Sequence, residues 1–297
     1  MTSVLRNLVV LVTGATDGIG LATARLLTGE GAGVLVHGRN PAKVGQVVRE
    51  LRDGGGEVEG FVADLASLEQ TAGLAREVAE RAPRLDVLIN NAGIGAGPPT
   101  GRRELSWDGY ELRFAVNYLA PFLLTRQLLG YGRPSRAIIN VASAGQAAID
   151  FRDPMLTGAY DGWRAYRQSK LALIMLTFDL AEEFPEIACN ALHPGTFLDT
   201  KMVRESEVSP RGSASAGAAA VVGLLRESLV SGITGRYYDG DRPARPLQQA
   251  DDPAARRRLR TLSDELTRAP LQRLRVQPPG QTVRPVTSLT TATDQEH

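Results

Sequence analysis

Tyr166 and Lys170 stand four residues apart in Tyr-Arg-Gln-Ser-Lys. In a helical segment that spacing puts both side chains on one face. A free phenol titrates near 10 and handles protons poorly at neutral pH, and an ammonium beside it stabilises the phenolate. The pair is therefore a candidate acid–base unit. Ser143 follows an apolar run at 137–141 and could place a hydroxyl beside it. A second group could hold phosphates. Thr13-Gly14-Ala15-Thr16-Asp17-Gly18-Ile19-Gly20 follows an apolar run at 8–13 and precedes a helical pattern at 18–29. Glycines at this spacing let the backbone approach a pyrophosphate, and the helix N-terminus offers unpaired N–H groups with a positive dipole end. About 20 residues further on, an NAD site carries an acid. Here Gly38, Arg39 and Asn40 occupy that place, with no carboxylate to repel a 2′-phosphate and an arginine to pair with one. These residues select NADP(H) as the cofactor.

The elements that must position these groups alternate. Buried-strand runs lie at 8–13, 33–37, 58–62, 87–90, 137–141 and 187–192. Helical stretches lie between them at 18–29, from Pro41 onward behind Asn40 as N-cap, and at 67–81, 107–129, 163–184 and 213–228. Such alternation predicts an α/β, Rossmann-type doubly wound parallel sheet. Strand ends on one edge then carry Asp64-Leu65, Asn91-Ala92-Gly93 and Ser143. Asp64 could accept the adenine amino group or cap the following helix, as could Ser67. Asn117 sits inside a predicted helix, where asparagine needs a reason to be. His37 reads as a structural residue or a side wall of the adenosine pocket. His193 reads as a turn residue, Cys189 as a buried small hydrophobe, and Trp107 and Trp163 as residues that open and pack helices.

The chain has 297 residues, with 34 Lys+Arg against 33 Asp+Glu and a net charge of +1. That balance gives no electrostatic footprint for nucleic acid. One cysteine excludes a disulfide framework, and the sequence shows no metal-ligand cluster. No leader pattern and no run of about 18 apolar residues is evident, so the expectation is a cytoplasmic protein without a membrane anchor. Only three of the 34 cations are lysines, a coding bias that suggests a GC-rich bacterial genome. The Arg256-Arg257-Arg258 run reads as a solvated face. One domain is expected over 1–270, and the polar stretch 271–297 reads as a disordered tail.

Taken together, Thr13–Gly20, Asn90–Gly93, Asn117, Ser143, Tyr166-x-x-Ser169-Lys170 and His193-Pro194-Gly195 resemble the short-chain dehydrogenase/reductase family over about residues 5–270. Asn117-Tyr-Leu-Ala-Pro, Gly162–Lys170 and Thr234–Asp239 resemble its retinol dehydrogenase-like branch. The resemblance implies a nicotinamide cofactor and carbonyl–alcohol chemistry on a small-molecule substrate. It implies Tyr166 as proton donor, Ser143 as a hydrogen bond to the substrate oxygen, and Lys170 as a ribose ligand that lowers the tyrosine pKa. Asn117 would hold a relay water, and Pro194, Gly195 and Thr196 would wall the nicotinamide. Non-redox relatives (lyase, isomerase, cyclase) and cofactor-binding regulators share the fold, and a homo-oligomer stays open. The stretch 146–161, with Ile149, Phe151, Met155, Leu156 and Tyr160, is a candidate lid or pocket wall. Phe197, Leu198 and Met202 are candidates for a substrate loop. These apolar residues point to a bulky hydrophobic substrate.

Overall fold

Strands apolar at every position are buried on both faces, and only a sheet covered by helices on both sides accommodates that. The computed structural model describes residues 3–98, 101–205 and 209–276. Its order is β1 (Val9–Val12), α1 (Gly18–Gly29), β2 (Gly33–Gly38), α2 (Pro41–Asp53), β3 (Val58–Val62), α3 (Leu68–Arg81) and β4 (Val87–Asn90). There follow α4 (Leu112–Phe114), α5 (Ala120–Gly130), β5 (Ala137–Val141), α6 (Gly162–Glu183), β6 (Ala188–His193) and α7 (Lys201–Glu205). The chain continues through α8 (Ala214–Ser231), β7 (Arg236–Asp239), β8 (Arg242–Ala244) and α9 (Pro253–Val276). The sheet runs β3-β2-β1-β4-β5-β6-β7-β8, parallel except for β8.

Side chains alternate across it. Val10 and Val12 of β1, with Val34 and Val36 of β2, enter a core with α1, α2 and α8. Leu11 and Leu35 enter the opposite core with α3, α5, α6 and α9. Strand order reverses between β1 and β4, and a crevice opens at their C-terminal ends. The predicted caps form: Asn40 Oδ1 accepts from Lys43 N, and Ser67 Oγ accepts from Gln70 N.

Several expectations are corrected. Trp107 does not open a helix. It lies 78% exposed in a turn, and helix begins only at Leu112, where the Glu111 carboxylate caps Phe114 N at 2.7 Å. Pro121 has no N–H to give the Asn117 carbonyl, and Ala115–Leu119 widens into a π-helical turn before α5. The segment 146–161 is not a pocket wall. Ile149 and Leu156 are buried, Phe151 and Met155 pack on the α6 core, and Ile149 N donates to Gln249 Oε1 at 2.7 Å. β7 and β8 extend the sheet beyond the strands read from the sequence. The helix α8 is the one described helix that by length and mean hydropathy alone could cross a membrane, although Arg226 and Glu227 interrupt its apolar residues. Its Val221, Val222 and Leu225 are buried against the sheet. The helix α9 runs past residue 270, and residues 277–297, read as a tail, lie outside the described residues.

Arg256 is not a solvated cation either. Its Nε donates to Asp179 Oδ1 at 2.9 Å, both side chains are 7% exposed, and Glu182 takes a second guanidinium nitrogen. Tying α9 to α6 brings a charge into the interior, where it needs its partner. Arg256→Ala should cost about 3 kcal/mol by denaturant titration, the low end for a broken buried pair because Arg260 stays 3.6 Å from Asp179. Arg256→Met with Asp179→Leu should restore most of that loss. A single variant as stable as wild type would show the pair to be energetically idle.

Candidate active site

The loop between β1 and α1 closes on itself. A Cβ at Gly20 would lie 2.2 Å from the Gly14 carbonyl oxygen and 2.5 Å from Asn91 Nδ2, so only glycine fits. Thr13, not singled out from the sequence, holds this loop to the end of β4. Its Oγ1 donates to Ile89 O and accepts from Asn91 N and Ala92 N, both at 3.0 Å. Asn91 Nδ2 answers with bonds to Thr13 O at 2.8 Å and Gly14 O at 3.3 Å. His37 is a structural link: Gly14 N donates to its Nδ1, and its Nε2 meets Ala63 O at 3.1 Å. Burial pushes its pKa down to about 4, so the ring stays neutral.

A cleft of about 630 Å³ runs from this loop along the C-terminal edge of the sheet. Gly14, Thr16, Asp17, Gly18, Ile19, Gly20, Arg39, Asn40, Asp64, Leu65, Asn91, Ala92 and Gly93 line one end. Ser143, Tyr166, Lys170, Pro194, Gly195 and Thr196 line the other. At Gly38 no side chain can enter, because its Cβ would lie 2.6 Å from Thr16 Cγ2. Arg39 and Lys43 border the cleft there, both exposed and without an ion pair among the described residues. Asp64 does not cap α3, since Ser67 does. Its Oδ1 accepts from Ala66 N and its Oδ2 from the Trp107 indole N–H at 3.2 Å, which leaves acceptor capacity toward the cleft. A glycine cradle, a helix N-terminus, two unpaired cations and an acceptor carboxylate fit a phosphorylated dinucleotide.

The acid–base cluster sits at the other end. Tyr166 and Lys170 project from α6, and the Ser143 hydroxyl lies near enough to the phenol to pull its pKa down. Lys170 Nζ donates to Val141 O at 2.8 Å and lies 5.9 Å from the Tyr166 ring centroid. The phenol pKa is raised by burial, against the pull of Ser143. This differs from the expectation that Lys170 lowers it: the ammonium faces Val141 O and the ring face, and desolvation dominates. Asn117 is fully buried outside the cleft lining. Its Oδ1 accepts from Ile94 N, while its Nδ2 donates to Ile94 O and Ser169 Oγ. Both amide hydrogens are spent, so the side chain braces the loop after β4. His193 is the last residue of β6 rather than a turn residue, and its Nε2 meets Thr196 Oγ1 at 3.1 Å.

Phe197, Leu198 and Met202 line the cleft, as do Trp163, read from the sequence as a helix-packing residue, and Arg167, which the sequence reading left aside. The signal for the last two was present: 163, 166, 167 and 170 make an i, i+3, i+4, i+7 stripe. Lys43 had no such signal, because it sits in the first turn of α2 beside a loop whose path is set elsewhere.

Burial strips water from the Lys170 ammonium and lowers its pKa from 10.5 to about 8. The unfolded chain then binds the extra proton between those values, so this residue's destabilisation is full below 8 and disappears as pH rises through 10.5. Unfolding free energies of wild type and Lys170→Met, measured without cofactor across that window, should converge or cross in favour of wild type. The relative gain is at most about 1.4 kcal/mol per pH unit. Parallel profiles would show that the lysine keeps its ordinary value.

The family model described as short chain dehydrogenase matches residues 8–210, which include the glycine loop, Ser143, Tyr166 and Lys170. Human retinol dehydrogenase 13 is 33% identical over 91% of this chain and 87% of its own length. A Streptomyces sp. (strain C5) protein named as a candidate daunorubicin C-13 ketoreductase is 35% identical over 80% of this chain and 84% of its own. A solved variant of actinorhodin polyketide ketoreductase with NADPH superimposes with a TM-score of 0.64 and 30% identity, covering 80% of this chain and 97% of that one. With the sheet order, glycine loop and Tyr–Lys pair described above, these matches show that the chain belongs to the short-chain dehydrogenase/reductase family, in its retinol dehydrogenase-like branch.

Proposed function

We propose that the protein is an NADP-dependent oxidoreductase that interconverts a carbonyl and a secondary alcohol on a bulky, largely apolar substrate. The observation that carries this reading is that Ser143, Tyr166 and Lys170, with the lysine 5.9 Å from the tyrosine ring, line the same cleft as the glycine loop. A bound nicotinamide dinucleotide supplies hydride chemistry there. Gly14, Thr16, Asp17, Gly18, Ile19 and Gly20 would hold its pyrophosphate, Arg39 and Lys43 its 2′-phosphate, and Asp64 with Leu65 its adenine. Asn91, Ala92 and Gly93 would flank its ribose, and Pro194, Gly195 and Thr196 its carboxamide. We place the enzyme in the cytoplasm, a reading supported by the burial of α8 in the fold.

The protein's own part is to hold the substrate and manage a proton. Ser143 Oγ accepts from Gly145 N at 3.0 Å, which fixes the oxygen and leaves its hydrogen to donate to a substrate oxygen. With a raised pKa, Tyr166 is protonated at neutral pH and has a proton to give in the reducing direction. Lys170 spends one of its three N–H donors on Val141 O, and the others can meet ribose hydroxyls and stabilise the phenolate once the proton has left. Asn117 acts through Ile94 and Ser169, keeping the loop after β4 in register with α6.

Two measurements test this reading. NADPH should bind at least about ten-fold more tightly than NADH, roughly 1.4 kcal/mol, and Arg39→Asp should reverse the preference. Equal dissociation constants by calorimetry would refute the cofactor assignment. Tyr166→Phe removes only a hydroxyl, so NADPH affinity should hold while kcat on a bulky ketone falls at least about a hundred-fold. Near-normal ketone reduction by that variant would mean the proton comes from another group. Lys170→Ala should lower kcat and cofactor affinity together.

A further inference from the structure

We propose that Arg167 is a substrate-specificity residue, and that the substrate half of the cleft takes a carbonyl compound whose apolar body carries a carboxylate or other anionic group. The proposal rests on the oxidoreductase reading above and adds the chemical class of the substrate to it.

Arg167 follows the candidate proton donor in sequence and shares the cleft-facing stripe of α6 with Trp163, Tyr166 and Lys170. Its guanidinium lies over the Trp163 ring, 5.6 Å from the centroid. The Trp163 ring in turn meets Tyr166 edge-on, at 6.2 Å and 87°. The arginine stem runs past Gly145, where a Cβ would lie 3.7 Å from Arg167 Cγ, and Gly145 is the residue that orients Ser143. The exposed cation thus stands over Trp163 on the same cleft-lining face of α6 as Tyr166 and Lys170.

Stacking occupies the flat face of a guanidinium and leaves its in-plane N–H donors free. Arg167 makes no hydrogen bond or ion pair among the described residues, whereas Arg25, Arg81, Arg126 and Arg226 each hold a glutamate. The only carboxylates lining the cleft, among the described residues, are Asp17 and Asp64, both at the dinucleotide end. The substrate half therefore presents a planar donor fork with no acid of its own to answer it. The same cleft is lined by Val116, Leu112, Phe197, Leu198 and Met202, an apolar surface that suits a hydrocarbon or aromatic body. A carboxylate meets the fork bidentately, and the apolar wall takes the rest.

The test uses two ketones with the same aromatic body, one bearing a free carboxylate and the other its methyl ester. With the full chain and NADPH, Arg167→Gln should raise KM for the acid at least about ten-fold, leave kcat within about two-fold, and leave the ester unchanged. Arg167→Lys should recover only part of the loss, since an ammonium lacks the fork. Calorimetric binding of the acid to the NADP-loaded Tyr166→Phe protein, with and without Arg167→Gln, gives a readout independent of turnover. Equal changes for acid and ester, or no change for either, overturn the proposal. Arg167-dependent binding of the acid without reduction of either ketone supports the anion site and defeats the oxidoreductase reading instead.

Discussion

The hydroxyl of Thr13 is the joint on which the cleft depends. It leaves β1 at the point where strand order reverses, and it takes up both N–H groups of the chain turning away from β4. Two backbones that should diverge are thereby held side by side, with Asn91 returning bonds to the glycine loop. Position 20 must be glycine because a Cβ there would meet the Gly14 carbonyl within the loop and Asn91 Nδ2 from the segment after β4. A loop packed so tightly presents backbone rather than side chains to the cleft, and backbone N–H groups at a helix start are suited to phosphate.

A second constraint fixes the chemistry in relation to that loop. Beneath the cleft a buried polar ladder crosses the core. Asn90 Nδ2 donates to Asn140 Oδ1 and Thr125 Oγ1, and Asn140 Nδ2 donates to Thr177 Oγ1. Its rungs connect β4, β5, α5 and α6. Buried amides are costly unless paired, so such a network admits few alternative registers. It sets α6 against β5, and that alignment brings Tyr166 and Lys170 from the helix to Ser143 and the Val141 carbonyl just beyond the strand. Asn117 extends the same bracing to the loop after β4.

Charge is distributed along the cleft to match. The dinucleotide end has Arg39 and Lys43 near a position where no acid fits, while Asp64 is steadied by Trp107. At the chemical end the tyrosine and lysine are both shifted by loss of water, in opposite directions, and both shifts favour the neutral group.

What the sequence determined by itself is local. Valine-rich runs bounded by glycine determine strands, glycine spacing after the first of them determines a phosphate loop, and the four-residue step from Tyr166 to Lys170 determines a shared helical face. These depend on backbone geometry over a few residues, so the alternation of elements, the doubly wound sheet and the members of the acid–base cluster were all legible. Tertiary packing decided what depends on distant neighbours. The apolar side chains of 146–161 could have faced substrate, but Gln249 and the α6 core drew them inward. Arg256 is one of three adjacent arginines, and only the position of Asp179 on another helix makes it the buried one. Lys43 and Arg167 border the cleft because of where the loops beyond them run. The direction of the Tyr166 shift likewise follows from burial against the attraction of a neighbouring charge, a balance that exists only once the chain has folded.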